Sequence, residues 1–103
     1  MAERAPLDHR TVEHLLGSLE GWTREGDTIR RVYQADDFPG AIHLVNVVAV
    51  LAEQARHHPD IDIRWRTLTF TLSTHDAGDK VTMADIRLAE QINDAISTQP
   101  AAR

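Results

Sequence analysis

The chain has 103 residues, of which 42% are hydrophobic and 26% charged, and its formal net charge is -5 at pH 7. That length supports one hydrophobic core, so we expect a single domain spanning residues 1–103. The sequence contains no cysteine, which excludes disulfides, thiolate metal sites and a cysteine nucleophile, and its net negative charge argues against direct binding to nucleic acid.

The first predicted element is a helix over residues 9–19. Asp8 is a typical N-cap residue, apolar residues recur at helical spacing from Val12 to Leu19, and Gly21 is a stop signal. The segments WTREG and TIRRVYQA follow and meet at a Gly-Asp turn signal. This pattern predicts a hairpin of two short strands.

A long apolar segment, AIHLVNVVAVLAEQARHH, covers residues 41–58. It is rich in valine, but eighteen residues without a turn signal indicate a helix rather than a strand. Because this helix is apolar on most of its circumference, we expect a sheet and another subunit to cover it. Its longest apolar stretch, residues 41–52, is shorter than the roughly 20 residues of a bilayer span, so we expect no membrane association.

After Pro59 the apolar residues alternate with polar ones, first up to Trp65 and then from Leu68 onward. This period of two predicts two strands, and the apolar parity changes between them. The change requires a bulge or a tight turn near Arg66-Thr67, and the residues alone leave the choice open.

The segment THDAGDK is predicted to be a loop, and Thr82 then begins a capping box, T-M-A-D, that opens a last helix ending near Ile96. The whole predicts an α+β fold in the order α-β-β-α-β-β-α. We expect a four-stranded antiparallel sheet with helices packed on one face.

Two adjacent histidines mark the end of the long helix. Pro59 disfavours helical geometry at His58, whereas His57 can still occupy the last helical turn, so the two imidazoles can surround one cavity. Glu53 lies four residues before His57, and both this spacing and the helix dipole favour a charged imidazolium. His57 is therefore a candidate acid.

Simpler interpretations exist for each residue. Glu53 with His57 can be an ordinary surface pair, and Asp85 an ordinary cap residue. His57, His58 and His75 could also hold a catalytic zinc, although adjacent histidines share no helix face and the usual ligand spacing is missing.

The combined pattern is more specific than its parts. Five separated positions, listed with their gaps, form a signature: Glu53, three residues, His57-His58-Pro59, five residues, Trp65, nine residues, His75, nine residues, Asp85. This signature resembles that of the pterin-4a-carbinolamine dehydratases, and the likeness extends from about Leu7 to about Ile96.

The resemblance implies a lyase that removes water from 4a-hydroxytetrahydrobiopterin, or a related 4a-hydroxytetrahydropterin, to give quinonoid dihydropterin in tetrahydrobiopterin recycling. It also implies a cytoplasmic enzyme without cofactor or metal. Subunits of the family pair to extend the sheet, and some form tetramers through helices, so we expect a homodimer or homotetramer. The family's hairpin falls at Arg66-Thr67.

The resemblance also implies the site residues. His57 and His75 would be the acid/base pair, in either order, His58 would hold and polarise the pterin, and Glu53 would orient His57. The implied substrate-binding residues are Arg56, His57, His58, Pro59, Ser73, Thr74, His75 and Asp76. General acid/base chemistry by imidazoles suits a dehydration, because one group protonates the departing hydroxyl and another takes a proton from a ring nitrogen.

The alternative is a noncatalytic dimeric module that binds another protein. Relatives of this fold act as a dimerisation cofactor of a transcription factor or as an assembly factor, so the protein partner could be a transcription factor or a member of the aromatic amino-acid hydroxylase pathway. Retention of Glu53, His57, His58 and His75 together favours the enzyme, since a scaffold has no need for all four.

Overall fold

The computed structural model describes residues 4–99. In chain order these residues form helix α1 (His9–Leu16), strands β1 (Trp22–Glu25) and β2 (Thr28–Gln34), helix α2 (Phe38–Ala55), strands β3 (Asp60–Arg64) and β4 (Thr67–Leu72), and helix α3 (Met83–Ser97). A short 3-10 helix, His75–Ala77, lies between β4 and α3. The predicted α-β-β-α-β-β-α order is confirmed.

The four strands form one antiparallel sheet in the order β1-β2-β4-β3. Alternate residues on the two central strands, among them Ile29, Leu68 and Phe70, are fully buried in the core beneath the helices. On the opposite face Arg30 and Val32 are exposed. This alternation is typical of a sheet with one covered face, which confirms the predicted architecture.

Helix α1 begins where predicted but ends three residues early. The Asp8 side chain accepts a hydrogen bond from the Thr11 backbone N–H at 2.8 Å, whereas the helix stops at Leu16. Leu19 is buried beyond the helix, so its apolar character reflects burial rather than helical continuation. Gly21 has a φ of +85°, and a Cβ there would lie 2.5 Å from the Arg31 side chain.

Helix α2 covers Phe38–Ala55, so it begins three residues before the apolar segment 41–58 that predicted it and ends three residues before that segment does. Asp37 caps its N-terminus and Pro39 lies in its first turn. One stripe of the helix is buried in the core, while Val50 on another side is 57% exposed. With 18 residues and a mean hydropathy of 1.3, α2 meets the length and composition of a membrane span, as core helices also do.

The β3–β4 turn consists of Trp65 and Arg66, one residue earlier than predicted. Arg64 pairs with Thr67 across the turn, and Trp65 adopts a left-handed φ of +55°. A two-residue turn resets the apolar parity, so that Ile63 faces Leu68 across the two strands. The turn, rather than a bulge, explains the change in parity.

Helix α3 begins with the predicted capping box. Thr82 accepts a hydrogen bond from the Ala84 backbone N–H at 3.2 Å, and the Asp85 side chain accepts one from the Thr82 backbone N–H at 2.9 Å. Farther along α3, Asn93 accepts hydrogen bonds from Trp22 and Arg31. These bonds fix α3 against β1 and β2.

Candidate active site

The C-terminus of α2 determines where the adjacent histidines lie. The helix ends at Ala55, and Arg56 turns into the left-handed region at φ +52°, where its N–H bonds the carbonyls of Ala52 and Glu53. The N–H of His57 also returns to the Ala52 carbonyl, at 3.1 Å. Such a reversal is a common helix end, and Pro59 prevents further helix. His57 therefore lies beyond the helix, and its predicted place in the last helical turn is wrong.

His57 points inward and pairs with a different carboxylate from the one predicted. Its side chain is 6% exposed, and Nε2 hydrogen bonds to Oδ1 of Asp85, which is fully buried. The predicted partner, Glu53, instead bonds to His58, with 2.6 Å between its Oε2 and Nε2 of His58. The interpretation that Glu53 orients His57 is wrong, because the left-handed turn at Arg56 carries His57 away from that helix face.

Asp85 is the centre of a buried hydrogen-bond network. Its Oδ2 accepts bonds from the Thr74 hydroxyl and from the Thr82 backbone N–H, each at 2.9 Å. The hydroxyls of Thr74 and Thr82 lie 2.8 Å apart. Both carboxylate oxygens are thus engaged, which fixes the carboxylate rigidly behind His57.

Asp85 was absent from the predicted site residues, although it belongs to the signature. Its predicted role in the capping box is confirmed. Its second role, as the hydrogen-bond partner of His57, was not predicted. A carboxylate at the third helical position satisfies the helix N-terminus with one oxygen and keeps another oxygen free. The signal for its role was its place in the signature together with His57.

The three signature histidines line one cleft of about 250 Å³. It lies between the end of α2, the start of β3 and the segment after β4. Seven of the predicted substrate-binding residues line it: Arg56, His57, His58, Pro59, Ser73, His75 and Asp76. Thr74 is fully buried behind it, and Glu53 is outside the lining.

Two lining residues, Arg4 and Asp60, were not predicted. Arg4 donates a hydrogen bond to the Arg56 carbonyl at 3.0 Å, and its guanidinium lies 3.9 Å from an oxygen of Asp76. Arg4 reaches the cleft through a tertiary contact, whereas Asp60 directly follows Pro59 in the chain.

His75 enters the cleft from the first position of the 3-10 helix. Its Nδ1 lies 2.5 Å from Oδ1 of Asp79, and both side chains are exposed. The hydrogen bond to Asp79 and then the charge of that carboxylate raise the pKa of His75, with smaller contributions from Asp60 and Asp76. His75 is thus held toward its charged form.

The arrangement gives each histidine of the cleft its own carboxylate. His57 and His58 use Nε2 for this bond, whereas His75 uses Nδ1. A carboxylate on one nitrogen fixes the ring and leaves the other nitrogen for a ligand. Within residues 4–99 no three histidine or acidic side chains come together as a metal-binding group, so the zinc interpretation gains no support from their positions.

A family model described as pterin 4 alpha carbinolamine dehydratase matches residues 5–95, nearly the whole chain. The chain belongs to this family. Two bacterial relatives, both provisionally named pterin-4-alpha-carbinolamine dehydratase, agree with that membership. The relative from Roseiflexus castenholzii is 54% identical over 89% of this chain and 98% of its own length. The relative from Nocardia farcinica is 57% identical over 85% of this chain and 92% of its own length.

Solved structures share the dehydratase fold. A transcriptional coactivator/pterin dehydratase from Brucella melitensis superposes with a TM-score of 0.83 at 28% identity, covering 87% of this chain and 97% of its own. A pterin dehydratase-like RuBisCO assembly factor of the alpha-carboxysome has a TM-score of 0.62 at 15% identity, covering 81% and 94%. The second likeness concerns the fold alone. The family resemblance inferred from the signature is confirmed.

Proposed function

We propose that this member of the pterin-4a-carbinolamine dehydratase family dehydrates a 4a-hydroxytetrahydropterin, such as 4a-hydroxytetrahydrobiopterin, to quinonoid dihydropterin and water. The observation that carries the proposal is the presence of His57, His58 and His75 around one cleft, each bonded to a carboxylate through one ring nitrogen. A cleft of about 250 Å³ is close to the lower end of the ligand-site range of about 300–1,000 Å³, which suits a two-ring heterocycle.

In the proposed reaction the bond between C4a and the hydroxyl oxygen breaks as that oxygen takes a proton and leaves as water. The proton on N5 departs, and its electron pair forms the C4a–N5 double bond. One acid and one base are therefore needed, and no oxidant or reductant takes part.

His75 is suited to be the acid. Its pKa is raised by Asp79 first and by Asp60 and Asp76 in addition, which keeps the ring protonated nearer to neutral pH. Its Nδ1 bonds to Asp79, so Nε2 is the nitrogen that can donate to the departing hydroxyl.

His57 is suited to be the base. A neutral ring that donates from Nε2 to Asp85 has its lone pair on Nδ1, which is the nitrogen that can accept a proton from the substrate. When Nδ1 takes the proton from N5, the buried carboxylate stabilises the imidazolium that forms. His58, oriented by Glu53, would hold the pterin through its remaining nitrogen.

The test is the rate of dehydration of a 4a-hydroxytetrahydropterin by the intact protein and by His57→Ala and His75→Ala, corrected for the spontaneous reaction in buffer. Loss of an acid or base lowers the rate about 10²- to 10⁴-fold. His43→Ala is the matched control, because His43 is an exposed histidine on α2 outside the cleft, and should change nothing. An intact protein no faster than buffer would exclude the enzyme.

A second candidate is the noncatalytic dimeric module, and the surface supports association. Strand β3 lies at the edge of the sheet, and Phe38 and Val50 on α2 are 47% and 57% exposed. Unpaired strand edges and exposed apolar helix faces favour contact with other chains. We therefore also propose that the chain forms a homodimer or homotetramer, which light scattering after size exclusion would test. We further propose that it acts in the cytoplasm. Association without dehydration would favour this module.

A further inference from the structure

The segment that carries His75 is a compact loop closed by backbone bonds. The Thr74 N–H donates to the Lys80 carbonyl at 2.8 Å, and the Asp79 N–H donates to the Thr74 carbonyl at 3.1 Å. Lys80 also reaches the turn between β1 and β2, where its Nζ lies 3.0 Å from Asp27. The loop therefore has a defined shape although its side chains are exposed.

Asp79 has an unusual backbone conformation within this loop. Its φ is +61°, directly after Gly78 at +75°. A glycine would adopt this conformation without strain, whereas aspartate tolerates it less well, although better than most other residues. The left-handed turn places the Asp79 carboxylate 2.5 Å from Nδ1 of His75.

We propose that Asp79 is a positioning residue for His75, fixing its ring so that Nδ1–H is occupied and Nε2 is presented to the cleft in the protonated form. The inference rests on the proposed function and deepens it, because it explains how an exposed histidine acts as the acid. A carboxylate bonded to one imidazole nitrogen sets both the tautomer and the orientation of the ring.

Other charged groups surround His75 and must be weighed with Asp79. Asp60 from β3 and Asp76 from the same loop act in the same direction as Asp79, which is the largest cause of the raised pKa of His75. Arg4, Arg56, His57 and His58 line the same cleft, and their positive forms act in the opposite direction. Among these groups Asp79 has the direct hydrogen bond, so it should dominate.

Two substitutions separate the charge of Asp79 from its geometry. Asp79→Gly removes the carboxylate at a position where glycine is unstrained, so misfolding would not explain its effect. Asp79→Asn retains an acceptor oxygen and a side chain that tolerates a left-handed backbone, while it removes the charge. Asp62→Asn on β3 is the matched control, because Asp62 is an exposed carboxylate outside the cleft.

The first measurement is an NMR titration of His75 in the ligand-free protein. We expect the midpoint of His75 to lie above that of a free imidazole in the intact protein and in Asp62→Asn. It should fall toward the free value in Asp79→Gly and in Asp79→Asn. An unchanged midpoint in Asp79→Gly would overturn the inference.

The second measurement is the pH profile of kcat and KM for dehydration. Loss of the protonated acid sets the alkaline limb of kcat, so this limb should move to lower pH in both Asp79 variants, with KM little changed. Each unit of displacement lowers the protonated fraction about tenfold at pH values above both midpoints. Asp79→Asn should retain more activity than Asp79→Gly at low pH, since it still orients the ring. Identical profiles in all variants would overturn the inference.

The two measurements distinguish this inference from the proposed function. The titration needs no substrate, so a displaced midpoint in a protein without dehydratase activity would support the role of Asp79 on His75 and reject the enzyme. If dehydration depends on His75 but the titration midpoint of His75 is unchanged in the Asp79 variants, the enzyme is supported and the inference is rejected.

Discussion

Two histidine–carboxylate pairs border the same cleft but differ greatly in burial. In the pair His57–Asp85 the side chains are 6% and 0% exposed, whereas in the pair His75–Asp79 they are 84% and 71% exposed. The buried carboxylate also anchors α3 and two threonines, so it serves the fold and the site together. The exposed carboxylate contacts one histidine in a loop.

This difference in burial changes what each pair can contribute. Removing one partner of a buried pair leaves an uncompensated polar group, which costs several kcal/mol, whereas an exposed pair is screened by solvent and contributes much less. We therefore expect the buried pair to govern stability and ring position, and the exposed pair to govern the protonation of His75.

The largest effect should come from Asp85→Ala. The change leaves His57, Thr74 and the N-terminus of α3 without their shared acceptor, and we expect a loss of about 3–5 kcal/mol of unfolding free energy. Urea denaturation followed by circular dichroism measures it. Asp94→Asn, at an exposed position on the same helix, is the control and should be neutral. A midpoint for Asp85→Ala equal to the control would show that the network carries no stability.

A smaller loss is expected for Thr74→Val, which preserves the shape of a fully buried side chain. Asp85 and Thr82 then each lose a hydrogen-bond partner, which costs about 1–3 kcal/mol. The same denaturation assay serves, and Thr69→Val on the open face of the sheet should stay within about 0.5 kcal/mol. Dehydration should also slow if Thr74 orients Asp85, and full activity in Thr74→Val would contradict that link.

The exposed pair should respond to salt and pH instead. Because the folded-state pKa of His75 is raised above its unfolded value of about 6.5, the pair stabilises the fold fully below that value, and this stabilisation is lost as pH rises through the folded pKa. Asp79→Asn should remove this pH-dependent part of the unfolding free energy. About 1 M NaCl, which shortens the Debye length to about 3 Å, should reduce it in the intact protein. If neither Asp79→Asn nor added NaCl alters the slope of the unfolding free energy against pH, then the His75–Asp79 pair does not contribute to stability.

The smallest effect should come from Glu53→Gln. Glu53 and His58 are exposed at 78% and 64%, so their pair should contribute less than about 1 kcal/mol to unfolding. If Glu53 only orients His58, then KM for the pterin should rise modestly while kcat stays the same. Glu90→Gln, at an exposed position on α3 outside the cleft, provides a matched control for the loss of a carboxylate charge. A large fall in kcat for Glu53→Gln would show that Glu53 affects the chemical step as well as the orientation of His58.

Most of the architecture could be predicted from periodicity and caps. Asp8 and Thr82 marked the starts of α1 and α3 correctly, because an N-cap is a local bond between a side chain and the next turn of backbone. Helix ends were harder to predict. Leu19 continued the apolar spacing after α1 had ended. Arg56 adopted a left-handed conformation, which is not predicted for an arginine from the sequence.

The site was predicted in its residues more than in its pairings. His57, His58 and His75 belong to a signature that can be read along the chain, and the structure brings all three to one cleft. Helical spacing predicted that Glu53 would contact His57. The helix ends between these two residues, and Glu53 hydrogen bonds to His58 instead. The spacing rule holds only while the backbone remains helical.

By itself the sequence determined the class of fold, the order of its elements and the family, because these depend on apolar periodicity, caps and a spaced signature that act locally or in register. Only the tertiary structure decided which carboxylate serves which histidine. That choice joins residues 28 positions apart, His57 and Asp85, through the reversal at Arg56 and the packing of α3 against α2. A contact between distant segments depends on how whole elements pack, and no local pattern encodes it.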